Sequence, residues 1–227
     1  MQVGWISHQG LQRRSNNDAA AVGRKGGYLL AMLVDAAEQG NGQALARHWA
    51  RTVIGTALAA ELPPDTASLI RLMRAEQQQL RRHYLHAIAS YCCALIDLQH
   101  RQLHLLQVGD CLAGIQRHDG NIDWLTRPHN LKEQLIWQDY TLDTPNNRHL
   151  LTRSLNARRF YSPECQTVTL PPDVGLILCS DGYWYEHLQQ GVGLEEVEDD
   201  ASMLRLGLAE PGLWQQTDSD NLFTILI

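Results

Sequence analysis

A chain of 227 residues, 44% hydrophobic and 19% charged, has apolar material for a real core and too little charge density to remain disordered. It is also far longer than scaffolds that depend on staples. The 19 Lys and Arg are outnumbered by 25 Asp and Glu, and the net charge of −6 argues against nucleic acid or an anionic membrane as a general partner.

The 5 cysteines are odd in number, Cys92 and Cys93 are adjacent, and no C-x-x-C pair occurs. They are expected to be buried, reduced thiols, which suits the cytoplasm. Residues 1–7 lack a basic, then apolar, leader pattern, and no stretch approaches the roughly 18 apolar residues of a membrane span, so neither export nor insertion is expected.

In chain order, residues 2–8 read as a strand, 9–17 as a polar cationic stretch, and 19–22 and 28–34 as strands joined through Gly23-Arg24-Lys25-Gly26-Gly27. That glycine cluster lacks a Gly-Lys-Ser/Thr ending and precedes a strand, so it is a hairpin turn and not a phosphate loop. Ala44, Leu45, Trp49, Val53, Ile54 and Leu58 follow a helical period, and Pro63-Pro64 ends that helix. Asp65 is the expected N-cap of a second helix reaching about Arg82, where Arg81-Arg82-His83 would complement the helix dipole.

Strands are then predicted at 89–98, 102–108, 112–117 and 123–126, followed by an aperiodic surface excursion over 127–148. Further strands are predicted at 150–154, 166–170, 175–180 and 222–227, with a last helix over 194–208. The helices cluster in sequence instead of alternating with strands, and no linker or repeat divides the chain. An α+β architecture of antiparallel sheets covered by helices, in a single domain over 1–227, is expected.

Chemistry concentrates where apolar strands end in acids: Asp35 after 28–34, Asp110 after 103–109, Asp181 after 176–180, and Asp218 and Asp220 before the last strand. A carboxylate beside a buried strand end is costly unless paired or bound to a cation, and oxygen-only sites suit magnesium or manganese. Acids at strand ends are also ordinary turn residues, so spacing alone leaves both readings open. Ser180 lacks a Gly-x-Ser-x-Gly elbow and is not read as a nucleophile.

Ser7-x-x-Gly10-x-x-Arg13-x-x-Asn16-Asn17-Asp18, Val34-Asp35, Gly109-Asp110, Ser180-Asp181-Gly182 and Asp220-Asn221-Leu222-Phe223-Thr224 resemble, in order and spacing, the motifs of the metal-dependent type 2C serine/threonine protein phosphatases. Leu151-Thr152-Arg153-Ser154-Leu155 is similar to the family's segment after its flap, which makes 127–148 a short flap. The resemblance implies a four-layer α-β-β-α sandwich of two antiparallel sheets with two manganese or magnesium ions at one end. By motif, Asp35 would bridge the ions, Asp181 and Asp220 would bind one, and the Ala36 carbonyl would face the other. Asp110 would help hold a third ion, Asp18 would orient metal-bound water, and Arg13 would grip phosphate. The implied reaction is in-line attack by a metal-bridging hydroxide on phosphoserine or phosphothreonine. A phosphoprotein substrate, an opposing serine/threonine kinase and a monomer are the implied partners and state.

Three departures bear on activity. The family's Gly-Met-Gly-Gly-His after the first aspartate is Ala36-Ala37-Glu38-Gln39-Gly40 here, the acid before Asp18 is Asn17, and no histidine stands beside Asp35 to protonate a leaving alkoxide. Glu38 is either a new carboxylate near the metals or a solvated loop residue. Trp137 and Tyr140 in the flap would touch substrate or pack the loop, and His129 would hold structure by hydrogen bonding. The functional alternative is a weak or inactive phosphatase fold that binds a phosphoprotein or regulatory partner.

Overall fold

The computed structural model describes residues 2–137, 145–172, 174–207 and 212–226. The chain begins with β1 (Gln2–His8), β2 (Asp18–Lys25) and β3 (Tyr28–Ala36), followed by α1 (Gly42–Ala59) and α2 (Thr66–Gln79), which tightens into a 3-10 turn over Leu80–Arg82. Next come β4 (Ile88–Asp97), β5 (Gln102–Val108), β6 (Leu112–Gln116), β7 (Ile122–Trp124), the short α3 (Leu131–Trp137), a 3-10 turn (Pro145–His149) and β8 (Leu155–Asn156). Strands β9 (Glu164–Thr169) and β10 (Gly175–Cys179) precede a π-helix (Gly182–Gln189), and β11 (Ala201–Gly207), β12 (Gly212–Thr217) and β13 (Leu222–Leu226) close the chain.

The strands form two sheets, one ordered β12-β1-β11-β10-β6-β7 and the other β13-β2-β3-β4-β5-β9 with β8 beside β4. The edge pairs β1–β12 and β2–β13 are parallel, so the sheets are mixed and not purely antiparallel as expected. Neither edge strand is joined to its neighbour by a hairpin, the connection that would enforce antiparallel pairing.

The uninterrupted apolar run of β3 is explained by burial on both faces. Leu29, Ala31 and Leu33 face the other sheet, where Trp5, Leu176, Leu178, Leu204 and Leu206 meet them, while Leu30, Met32 and Val34 face the helices. The same alternation sends the adjacent Cys92 and Cys93 into different cores. Cys92, Cys93, Cys111 and Cys179 are buried free thiols, but Cys165 is exposed on β9, against the expectation that all five are buried.

Helix α1 buries Leu45, Trp49, Val53, Ile54 and Leu58 against that outer face, each such side chain contributing about 1.5–3 kcal/mol of transfer free energy. Asp65 caps α2 as predicted: it accepts from the Ser68 N–H at 2.7 Å while the Ser68 hydroxyl accepts from the Asp65 N–H at 3.1 Å. Arg81 donates to the Ala157 carbonyl at 3.1 Å, so the basic cluster at the helix end ties down a neighbouring loop.

The opposite outer face is covered more thinly, by Tyr183 and Trp184 of the π-helix and by Val192, Leu194 and Val197. The expected helix over 194–208 is instead a turn followed by β11, a central strand between β1 and β10. Its two-sided burial hides the period-2 pattern that marks a half-buried strand. The predicted strand at 150–154 is reduced to one bridge between Asn130 and Leu151. No helix among the described residues is long and apolar enough to cross a membrane.

Candidate metal centre

Acids collect at one end of the sandwich because several strands reach it together. In register, Asp18 on β2 stands opposite Asp35 on β3, and Asp35 stands opposite Ser90 on β4. Asp110 follows β5, Asp181 follows β10, and Asp199-Asp200 precede β11. Arg13, Asp35, Ala36, Asp110, Asp181 and Asp199, with Ser90 and His149, line one cavity of about 160 Å³. Five of the seven predicted site residues therefore share that cavity. Asp18 lies behind it, with no exposed surface.

The predicted Asp220 is not there. It is exposed, and Asn221 is the residue that turns inward, accepting from the Trp5 indole at 2.9 Å and donating to the Ser7 hydroxyl at 2.8 Å and the Asp18 carbonyl at 3.0 Å. The strand that carries an acid into the cavity is β11, and the acid is Asp199.

Burial pushes the carboxyls of Asp18, Asp35, Asp110 and Asp181 above the ordinary range, and neighbouring acids push Asp35 and Asp181 further. Asp110 is steadied by the Ser90 hydroxyl, which donates to it at 2.7 Å. Asp18 accepts from the Ser180 hydroxyl at 2.9 Å, and its other carboxylate oxygen is sealed from solvent without a partner among the described residues. Asp200 is pushed up to about 6 by burial, although it accepts from the backbone N–H groups of Asn17 at 2.7 Å and Gly10 at 3.0 Å. Those two bonds fasten the loop that carries Arg13 to the root of β11.

Cations already meet two of the acids. Arg13 donates to both oxygens of Asp199, from Nε at 2.6 Å and Nη2 at 2.5 Å, and this bond raises its guanidinium pKa further. Arg148 stands 3.6 Å from Asp181 and 3.9 Å from Glu186, with its guanidinium 4.0 Å from the Tyr185 ring centroid. Glu186, in turn, accepts from the backbone N–H of Glu198 at 2.8 Å, and the Trp184 indole donates to the Asp110 carbonyl at 2.9 Å. The π-helix thus braces two walls of the cavity, a placement common for such helices.

The donor set is entirely oxygen, buried and rich in negative charge, and it fits hard divalent cations. Among the described residues no three acidic, His or Cys side chains are already gathered around one point, so the acids line an open cavity and not a closed cage. Ala36 keeps its place on the wall despite the altered loop after it. Glu38 takes the solvated role: it accepts from the Arg14 N–H at 3.1 Å and does not line the cavity.

His149, Arg148, Glu186 and Ser90 belong to the site without a motif to announce them. His149 stands at the cavity wall, largely open to solvent, and the partial desolvation of its ring together with the Arg148 charge lowers its pKa. His129 is structural: its Nδ1 accepts from the Gly109 N–H at 3.1 Å and its Nε2 faces Glu164 at 3.0 Å. Trp137 is 70% exposed, with Arg127 5.2 Å from its ring centroid, whereas Tyr140 lies outside the described residues.

Solved structures with the same fold include bacterial phosphatases. The chain is similar to the serine/threonine phosphatase Stp1 from Staphylococcus aureus, with a TM-score of 0.76 and 17% identity over 92% of this chain and 95% of that one. It is also similar to the Mycobacterium tuberculosis serine/threonine phosphatase PstP/Ppp, with a TM-score of 0.67 and 19% identity over 89% and 96% of the two chains. A PstP catalytic domain in complex with 2 manganese ions superposes with a TM-score of 0.64 and 18% identity over 89% and 96%. No curated protein matches the chain in sequence. The family model for protein phosphatase 2C matches residues 14–206, a span that holds every acid of the cavity and stops short of Asp220, and the chain belongs to the protein phosphatase 2C family.

Proposed function

We propose that the protein is a phosphoserine/phosphothreonine protein phosphatase that works with two manganese or magnesium ions. The observation that carries this reading is the cavity in which Asp35, Asp181, Asp199 and Asp110 converge beside Arg13. Those carboxylates and the Ala36 carbonyl would hold the ions, and Asp110 is the candidate for a third. When bound, such ions supply activated water and offset phosphoryl charge. Arg13 presents a planar fork that matches two phosphoryl oxygens. Asp18, fixed by Ser180 behind the cavity, would help orient water at the site. His149 is an imidazole at the cavity wall and the candidate to hand a proton to a departing serine or threonine alkoxide, the role for which no histidine stands beside Asp35.

The substrates on this reading are phosphoproteins made by a serine/threonine kinase, and the buried free thiols suit a reducing, cytoplasmic setting. We infer a monomeric, single-domain enzyme. The test is hydrolysis of p-nitrophenyl phosphate and a phosphothreonine peptide with and without manganese, in wild type and Asp181→Asn. Manganese-dependent turnover lost in the variant supports the reading.

One observation favours a second reading, a phosphatase fold kept for binding: Arg13 and Arg148 already neutralise Asp199 and Asp181. A folded wild type that turns over neither substrate, and retains affinity for a phosphothreonine peptide, would decide for it.

A further inference from the structure

A second cavity, of about 550 Å³, lies on the outer face of α1 and shares no residue with the acid-lined one. Its walls include Arg47, His48, Arg51, Thr52 and Phe223, with Gly55 between them, and no carboxylate lines it although the chain carries a net charge of −6. Arg47 and Arg51 are one helical turn apart, a spacing at which like charges destabilise a helix. Neither has an acidic partner among the described ion pairs. The Nε–H of Arg47 has no acceptor among the described residues.

Other features shape the same space. His48 stacks on Tyr84 at 5.4 Å between ring centroids, and its Nδ1 lies 3.4 Å from the Thr52 hydroxyl, so the ring is held in place. The Phe223 ring lies 6.0 Å from the Arg51 guanidinium and offers a flat apolar surface. Gly55 sits in the interior of α1, where glycine is the poorest residue short of proline, and a Cβ there would meet only Ile225 Cδ1 at 3.7 Å. Packing does not demand glycine; its small size keeps the cavity open.

We propose that this cavity binds a phosphate monoester tethered to a planar ring, as in a nucleoside monophosphate, with Arg47 and Arg51 gripping the phosphate and Phe223 facing the ring. Paired guanidinium forks match phosphate oxygens, and the volume is that of a small-molecule site. The assignment does not depend on the acid cavity being catalytic.

The test is calorimetric titration of the full chain in EDTA, which keeps metal-bridged phosphate at the acid cavity out of the signal. Adenosine monophosphate, inorganic phosphate and adenosine are the probes. Adenosine monophosphate is expected to bind more tightly than inorganic phosphate, with adenosine weakest. Arg47→Gln combined with Arg51→Gln, which also removes the like-charge pair, should weaken adenosine monophosphate at least tenfold. Gly55→Glu, which improves helix propensity while placing a carboxylate in the cavity, should do the same. No binding of adenosine monophosphate, or binding unchanged in both variants with their folding intact, overturns the proposal. Equal affinity for inorganic phosphate and adenosine monophosphate overturns the role of Phe223.

Discussion

Arg13 and Asp199 form a two-point ion pair, with Nε 2.6 Å and Nη2 2.5 Å from the two carboxylate oxygens, and so the proposed phosphate grip and a proposed metal ligand hold each other. On the proposed reading, cations entering the cavity would compete with Arg13 for Asp199, and an arginine released from that bond would be free to meet phosphate. Metal loading and substrate binding would then be coupled through one side chain.

Arg13→Ala should raise the KM for a phosphothreonine peptide by about tenfold or more, equivalent to about 1.4 kcal/mol, while leaving manganese affinity unchanged or tighter because Asp199 is freed. Steady-state kinetics beside a manganese titration checks both halves. Weakened manganese binding with an unchanged KM would contradict this coupling.

His149→Gln separates proton donation from mere positioning. Loss of a general acid should slow a phosphothreonine peptide, whose alkoxide needs a proton, by about 100-fold, and leave p-nitrophenyl phosphate within a few-fold because its leaving group is already acidic. Equal losses on both substrates would assign His149 to positioning alone.

Gly109 has a φ of 92°, and a Cβ there would lie 2.0 Å from the Ser90 hydroxyl that holds Asp110. Gly109→Ala combines left-handed strain with a clash against that hydrogen bond, and should lower stability by about 2–4 kcal/mol. Chemical denaturation measures the loss, and a variant as stable as wild type would show that Ser90 can move freely.

The acids also set a pH dependence in metal-free protein. Asp200 is pushed up to about 6 in the fold, above its ordinary value of 3.8, so the folded state binds the proton more tightly than the unfolded chain does. Its contribution is full below about pH 4 and is lost as pH rises through about 6, and the buried Asp18, Asp35, Asp110 and Asp181 act in the same direction. In EDTA the melting temperature should be higher at pH 5 than at pH 7.5, and Asp200→Asn should reduce the difference. A melting temperature that rises with pH over that range would contradict it.

Much of the site is readable from residues because strand ends announce it. Asp35, Asp110 and Asp181 each close an apolar strand, and Arg13 and Asp18 sit in a spaced motif, so local pattern and tertiary placement agree. Asp199 is hidden by the opposite circumstance. The strand after it, Ala-Ser-Met-Leu-Arg-Leu-Gly, is buried on both faces and shows no alternation, while the exposed Asp220 precedes a strand whose Asp-Asn opening imitates the motif. Asn221 does reach the interior, but as a clamp between Trp5, Ser7 and Asp18, so its own role there is structural. Arg148 and His149 are invisible for another reason: they reach the cavity on a 3-10 turn after an aperiodic segment, and no spacing rule connects them to Asp181.

The most direct measurement is calorimetric titration of manganese into wild type, Asp199→Asn and Asp220→Asn. The cavity described here predicts that Asp199→Asn weakens manganese at least tenfold while Asp220→Asn binds like wild type. A loss confined to Asp220→Asn, or no manganese binding by the folded wild type, would contradict the metal centre at the head of β11.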